Sequence, residues 1–327
     1  MCGINGIIFK KNILEFEKIS QMNSMLEHRG PDFSGTLSHN NILLGHTRLS
    51  ILDTSAKGAQ PMSNDGRYWI IYNGEVYNYL ELKDQLIKKN YNFYTSTDTE
   101  VILCAYKEWG DKCFEKFNGE WALAILDKKK DEIIISRDGI GYKPCYIYED
   151  SEYFSFSSEI KPFYCLKKTI DFDNSNLGVS AETLSYSSKT VFKNIIELVQ
   201  GRLLKINLNT FQKKLIRWDF PLSKLPNINP SYKKNTEKYF ELLKQATKIR
   251  LRSDVQIGTS LSGGLDSSAI FSLLNILDEQ GKVENKLNLN PVIMNYDTMK
   301  SKEEALELSK LYKKNALIVE DKEEDIE

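Results

Sequence analysis

A proline-bearing stretch at 206–234 divides this chain into two texts of different periodicity, and no single sheet satisfies both. Before it the pattern is mostly short strands. GINGIIF, ILLGHTRLSIL, RYWIIYNGEVY, EWALAILD, EIIISRD, PCYIYE and EYFSFSSE are rich in Ile, Tyr, Phe and Trp and are bounded by turn residues. Helical text interrupts them at EFEKISQMNSMLEH, where Phe16, Ile19, Met22 and Leu26 recur at helical spacing, and again at LELKDQLIKK and DTEVILCAYKEW. Strands joined by turns such as the lysine-bearing LDKKKDEI, with helices kept outside, predict an α+β layered domain over 2–205. After the stretch, strands and helices alternate: TEKYFELLKQATKIRLRSD, VQIGTSLS, SSAIFSLLNILDEQ, PVIMNY, KEEALELSKLYKK, ALIVE. That alternation predicts a parallel, doubly wound α/β sheet over 235–327. The stretch itself holds Pro221, Pro226 and Pro230, lacks periodicity and reads as a linker.

Bulk properties narrow the function. A chain of 327 residues is long enough for two cores. With 44 basic and 45 acidic side chains it carries a net charge of -1, so no field of one sign calls for nucleic acid or an anionic membrane. Apolar runs such as WALAIL at 121–126 are strand-sized; no membrane span or secretory signal is expected, and a cytoplasmic location is. The five cysteines, at 2, 104, 113, 145 and 165, include no CxxC pair and no partnering His cluster, which argues against a disulfide framework or a zinc site. Cys104, Cys113, Cys145 and Cys165 read as small buried hydrophobes.

Cys2 is different. A small residue at position 2 lets the initiator methionine be clipped, leaving a thiol and a free α-amine on one residue. An unperturbed α-amine has a pKa of roughly 7.7–8. Near neutral pH part of it is free to take the thiol's proton, directly or through water, so a nucleophile would carry its own base. His28, His39 and His46 have no sequence partner that makes a Cys–His pair convincing.

The second half has its own signal. SLSGGLDSS at 260–268 sits between a predicted strand and a predicted helix, where glycines let backbone approach a polyphosphate and the helix start supplies free N–H groups. The loop lacks the GK[ST] of a Walker A motif, which excludes a P-loop kinase or GTPase. The string SGGLDSS resembles the PP-loop ATP pyrophosphatases.

Together, MCG and SGGLDSS resemble the glutamine-hydrolysing asparagine synthetases, and intervening blocks do so in order: HRGPDFSG, HTRLSILD, YNGEVYN, STDTEVIL, FNGEWALAILD, SRDGIGYKP and SSEIKPF. The resemblance implies an N-terminal-nucleophile αββα glutaminase sandwich, followed by a doubly wound PP-loop domain of the adenine nucleotide α-hydrolase-like type. It implies that Cys2 attacks the glutamine carboxamide while the Asn73 side chain and the Gly74 N–H hold the oxyanion. Arg48 would grip the substrate carboxylate and Asp98 its ammonium, with Glu75 and the backbone of Leu49, Ser50, Ile51 and Leu52 as further contacts. HRGPD resembles a mobile loop over bound glutamine, which makes His28 part of a lid. ATP would be held by Leu261, Ser262, Gly263, Gly264, Leu265, Asp266, Ser267 and Ser268, with a backbone contact at Met294, and Asp266 would lie near Mg²⁺. The implied product is asparagine, by amidation of an aspartyl-adenylate with channelled ammonia.

The pattern also breaks. A block resembling SGEGSDE does not occur, and Gln256 stands where the family often has proline. The PP-loop domain is therefore expected to be incomplete, with a truncated chain or a complementing C-terminal chain as the alternatives; relatives often form homodimers. A different carboxylate acceptor, such as a surface-polysaccharide sugar acid, or a non-catalytic remnant, remain open at this level.

Overall fold

The computed structural model describes all residues except 12–13, 181–182, 185–186, 219–230, 282–286, 296–298 and 321–327. The chain forms two units, Met1–Leu225 and Pro226–Glu327.

In the first unit, two antiparallel sheets stack face to face. One has the order β2-β3-β1-β8-β7-β9, built from β1 (Gly3–Phe9), β2 (Phe33–His39), β3 (Ile42–Arg48), β7 (Tyr146–Glu149), β8 (Tyr153–Ser157) and β9 (Ile195–Glu197). The other has the order β11-β10-β6-β5-β4, built from β4 (Tyr68–Val76), β5 (Gly119–Asp127), β6 (Glu132–Arg137), β10 (Arg202–Asn207) and β11 (Lys213–Arg217). Side-chain alternation sets the layers. Ile4 and Ile8 of β1 meet Ala122, Ala124 and Leu126 of β5 between the sheets. Ile7 and Phe9 point outward onto α1 (Phe16–Ser24), through Ile19 and Met22. Leu123 and Ile125 point the other way, onto α2 (Tyr79–Ile87) and α3 (Asp98–Trp109). The result is helix, sheet, sheet, helix. Strands such as β5 are buried on both faces, which is why WALAIL is continuously apolar despite antiparallel pairing.

The linker expected at 206–234 begins too early. β10 reaches Asn207, and Lys213–Arg217 add β11 to the sheet edge through five register pairs with β10. Beyond it Trp218 stacks on Trp121 at 5.0 Å and 24°, beside Phe114. Burial of one large ring outweighs the polar text around it. The three prolines fall outside the described residues. Trp121 is almost wholly buried and is packed by Phe114, Phe117 and Trp218. Trp121→Ala is expected to destabilise the first unit by about 3–5 kcal/mol, read as a lower midpoint in urea unfolding.

The second unit contains α4 (Tyr232–Ile249), α5 (Leu265–Glu279), α6 (Met299–Leu311) and a parallel pair, β12 (Val292–Asn295) with β13 (Leu317–Glu320). VQIGTSLS, expected as a strand, forms only two isolated parallel bridges, Ile257 with Leu287 and Ser260 with Val292. Thr259, Ser260 and Ser262 break its apolar run, so the segment pairs locally and then turns into the loop. Among the described residues this is the beginning of an alternating α/β layer, with β12, α6 and β13 in succession. No described helix is long and apolar enough to cross a membrane.

Candidate active site

Cys2 directly precedes β1, so strand pairing fixes its place. Gly3 lies opposite Thr47 on β3, which brings Leu49, just past the end of β3, against the thiol. The Leu49 N–H donates to Cys2 Sγ at 3.4 Å, and Sγ lies 3.6 Å from the Leu49 carbonyl oxygen. Burial pushes the thiol pKa up; the Leu49 hydrogen bond, the terminal amine and Arg48 work against that rise. The terminal amine, here that of Met1, is pushed below its ordinary value chiefly by burial.

The neighbouring pocket gathers Cys2, Arg48, Leu49, Ile51 and Leu52 from one side with Asn73, Gly74, Glu75 and Asp98 from the other. Ser50 does not join them. Its N–H donates to Asp32 Oδ2 at 2.7 Å, and the residue borders an adjacent cavity.

Asn73 sits on β4 opposite Ala122 of β5. Its side chain is buried, and its Nδ2 has no hydrogen-bond partner in the protein. Such an orphan donor costs about 1–3 kcal/mol, and here it borders the thiol's pocket. Gly74 follows because a Cβ there would run into the Glu120 carbonyl oxygen on β5.

Asp98 is the first residue of α3. Thr97 caps that helix, its Oγ1 accepting from the Glu100 N–H at 3.2 Å. Asp98 Oδ2 accepts from the Tyr72 hydroxyl at 2.8 Å and the Val76 N–H at 2.9 Å. Burial outweighs these bonds and raises its pKa to about 6, so at neutral pH it is an ionised, buried carboxylate facing the pocket. Arg48 is more committed than a free carboxylate fork. Nη1 donates to the Ser55 carbonyl at 2.7 Å, and Nη2 to those of Leu52 at 3.2 Å and Asp53 at 2.5 Å. These bonds use three of its five N–H groups and leave two for a ligand.

No histidine lines the pocket. His46 is buried with Nε2 3.1 Å from the Tyr72 carbonyl, and burial lowers its pKa to about 4, so it is neutral. His39 pairs with Asp131 at 3.0 Å and His28 with Glu159 at 2.9 Å. Of the other thiols, burial raises Cys104 to about 11 and Cys145 to about 12, and Cys113 is raised well above its ordinary value, which leaves all three inert. Cys165 is only half-buried.

Several groups at the site were not singled out from sequence. Arg29, inside HRGPD, donates from Nε to the Cys2 carbonyl at 3.0 Å and from Nη1 to Glu159 at 3.0 Å. Gln60 accepts the Tyr72 N–H at 2.7 Å and borders the pocket. Asp138 accepts from the backbone N–H groups of Ile140, Gly141, Tyr142 and Lys143, at 2.7–3.1 Å, and so holds Lys143 at the pocket edge. Glu100 accepts from Tyr94 N, Thr95 N and Thr95 Oγ1, which fixes the segment before Asp98. The spacing T-x-x-E at 97–100 is a readable capping-box signal for the last.

In the second unit, Gly263 has φ +79°, and a Cβ there would strike the Ser301 carbonyl. Gly264 opens α5 without a side-chain cap, leaving the helix start to other acceptors. The Ser262 and Ser267 hydroxyls are 2.9 Å apart. Ser268 already lies in the first turn of α5, its N–H donating to the Gly264 carbonyl at 3.1 Å. Leu265, Asp266 and Met294 are exposed, whereas the Leu261 side chain is buried against Phe271, Ile293 and Ala305. Only the Leu261 backbone can face a ligand. No group of three or more His, Cys, Asp or Glu side chains suited to a metal occurs among the described residues.

A helix-flanked double sheet with a cysteine directly before its first strand is the layered architecture of a glutamine amidotransferase domain. The same fold is seen in the glutamine phosphoribosylpyrophosphate amidotransferase of Bacillus subtilis, at 18% identity and a TM-score of 0.52 over 97% of this chain and 65% of that one. The chain belongs to the glutamine amidotransferase family: residues 1–217 match its domain, and residues 238–286 match the asparagine synthase family. Curated relatives agree. A putative glutamine-hydrolysing asparagine synthetase of Methanocaldococcus jannaschii is 40% identical over 86% of this chain and 58% of its own length. Asparagine synthetase 1 of Bacillus subtilis is 32% identical over 84% of this chain and 44% of its own. The chain thus spans about half the length of the curated relatives it matches.

Proposed function

We propose that the first unit hydrolyses glutamine to glutamate and ammonia at Cys2, with ammonia passed to an ATP-dependent amidation of aspartate. The observation that carries this reading is the buried, unpartnered Asn73 Nδ2 in the pocket that also holds the Cys2 thiol. A donor with no ground-state partner is suited to an oxyanion that exists only during reaction. With Met1 removed, the Cys2 amine takes the thiol proton and Sγ bonds to the glutamine Cδ. The C–N bond then breaks, the amine returns its proton to the departing ammonia, and a thioester remains. Water, deprotonated by the same amine, releases glutamate and restores the thiol. Arg48 and ionised Asp98 would hold the α-carboxylate and α-ammonium, with Glu75 and the 49–52 backbone beside them.

The loop at 262–268 fits a phosphate: Gly263 cannot carry a Cβ without collision and strain, and the start of α5 has no side-chain cap. ATP held there would activate a carboxylate as its acyl-adenylate. Asp266 supplies one exposed carboxylate beside it, an arrangement in which Mg²⁺ takes most of its ligands from phosphate and water. Aspartate is the acceptor favoured by the relatives' names. The direct test measures ammonia and glutamate released from glutamine, with and without ATP and aspartate. Glutamine-dependent ammonia in the absence of ATP is expected; its absence removes the reading.

Asp98 gives a second test. Its folded pKa of about 6 lies above the ordinary 3.8, so the folded chain holds this proton more tightly than the unfolded chain does. The resulting penalty is absent below about pH 4, grows as pH rises toward 6 and reaches about 3 kcal/mol at neutral pH. Asp98→Asn, whose oxygen can still accept from Tyr72 and Val76, is expected to be more stable than the parent at pH 7 and equal to it near pH 4. The same variant should raise the KM for glutamine about 100-fold, because a neutral amide no longer offsets the ammonium. Urea unfolding at the two pH values and steady-state kinetics check both effects.

A further inference from the structure

We propose that Asp53 is a positioning residue that ties the Arg48 end of the pocket to the Asp98 end, so that the two grips on an α-amino acid stay at a fixed separation. The inference rests on reading the pocket as a glutamine site. HTRLSILD ends in this residue, and the roles assigned so far leave it without a task.

Its hydrogen bonds run in two directions. The Asp53 carbonyl accepts from Arg48 Nη2 at 2.5 Å, and Oδ1 accepts from the Ser55 N–H at 3.2 Å and the Ser55 hydroxyl at 2.5 Å. Ser55 in turn offers its own carbonyl to Arg48 Nη1 at 2.7 Å. On this side Asp53 therefore shapes the carbonyl cradle that orients the guanidinium. Its other oxygen, Oδ2, accepts from the Ser96 N–H at 3.1 Å, across 43 residues of sequence. Ser96 lies between Thr95, which the Glu100 carboxylate grips at 2.7 Å, and Thr97, which caps α3 one residue before Asp98. One carboxylate thus spans the two segments that carry the opposite charges of the site. The Asp53–Ser96 bond links them directly, and the bond that Gln60 Nε2 donates to Thr99 Oγ1 at 3.3 Å ties neighbouring residues a few positions further along.

The backbone supports a specific role. Asp53 has φ +50°, a left-handed conformation that Asp and Asn accept more readily than other side chains bearing a Cβ. Asp53→Asn therefore keeps the turn and one acceptor oxygen while exchanging the other for an amide donor, which cannot accept from Ser96 if the remaining oxygen stays on Ser55.

The consequence is confined to ligands that engage both ends. If the separation drifts, glutamine loses binding energy equally in ground and transition states, which raises KM and leaves kcat unchanged. A ligand with one grip loses little. Glutaramic acid, which is glutamine without its α-amine, can seat on Arg48 alone.

The experiment compares parent, Asp53→Asn and Asp65→Asn in glutaminase kinetics, with glutaramic acid as inhibitor and thermal unfolding as a check on folding. Asp65 caps an equivalent turn away from the pocket, accepting from the N–H groups of Arg67 at 3.0 Å and Tyr68 at 3.2 Å. For Asp53→Asn the expected result is a KM about tenfold higher, with kcat and glutaramic acid inhibition within about twofold of the parent. For Asp65→Asn, KM should stay within about twofold of the parent. A variant that keeps the parental KM, or loses kcat with KM unchanged as its folded fraction falls, overturns the inference. Equal weakening of glutamine and glutaramic acid also overturns it, because the effect would then lie at Arg48 alone. A parent chain that releases no ammonia from glutamine overturns this inference together with the reading of the site, whereas an active parent beside an unaltered variant overturns this inference alone.

Discussion

Cys2→Ala is expected to lower ammonia release from glutamine by at least about 10³-fold, because the thiol makes and breaks the only covalent bond to substrate. The buried alternatives cannot substitute. Cys104 and Cys145 carry pKa values raised to about 11 and 12, and neither lines the pocket. Folding should be unaffected, since Cys2 is only partly buried and its strongest structural tie, the Arg29 bond to its carbonyl, is made to backbone. A companion variant separates the thiol from its base. Inserting a lysine between Met1 and Cys2 blocks methionine removal and displaces the free amine by two residues, while the thiol stays. No histidine stands in the pocket to take over proton transfer, and His46 is held neutral by burial with a pKa of about 4. Activity should therefore fall by about 10²–10⁴-fold, the usual range for loss of a general base. Alkylation of Cys2 should persist in this variant. Mass measurement of the intact chain establishes the terminus, and full activity in the insertion variant would exclude the terminal amine as the base.

The candidate nucleophile was legible in the residues because its chemistry is local, whereas the other candidates rest on the resemblance of blocks such as YNGEVYN and STDTEVIL. The chain start offers one cysteine and, once Met1 is removed, an amine on the same residue; the pairing that places Leu49 against the thiol is not readable there, and the strand expected to continue through LSIL ends at Arg48. Asn73 and Gly74 are neighbours on β4 and so face opposite ways; it is the register with β5 that brings the Glu120 carbonyl against Gly74. The parts that were not legible depend on distant partners. Arg48 reads as a free charge until the 52–55 segment folds back to place three carbonyls on it. Asp138 looks like a turn residue, yet its carboxylate organises four successive backbone groups. The fold shows the same division. β5 and its neighbours follow from apolar periodicity, whereas β11 is the polar text KKLIR and pairs only because β10 presents an open edge. Trp218 marks the end of that edge, and a single tryptophan among charged residues gives no periodic signal. In the second unit, VQIGTSLS has the alternation of a strand but finds only two bridges, because sheet formation depends on neighbouring strands and those described number two.

Asn73→Ala should reduce kcat by about 10²–10³-fold while leaving the KM for glutamine within a few-fold of the parent. The split follows from where the amide acts. Its Nδ2 is buried and unpartnered without substrate, so removing it takes away nothing that holds the pocket together. Its Nδ2 is hydrogen-bonded neither to Arg48 nor to Asp98, which bear the charges expected to bind the amino-acid end. What is lost is a donor toward the oxygen that becomes negative when Sγ adds to the carboxamide. Truncation should therefore also relieve an unsatisfied buried group, and the variant is expected to be as stable as the parent or more so, by up to about 1 kcal/mol after the small cavity is set against the removed polar atoms. Asn73→Asp sharpens the argument. It keeps the volume but places acceptor oxygens where the donor was, beside a pocket that already holds Asp98, so its activity should fall below that of the alanine variant. Lower kcat with unchanged KM and undiminished stability is the signature of a group reserved for the transition state. A parallel rise in KM, or a marked loss of stability, would instead mark Asn73 as a residue that builds β4, and the oxyanion would need another donor.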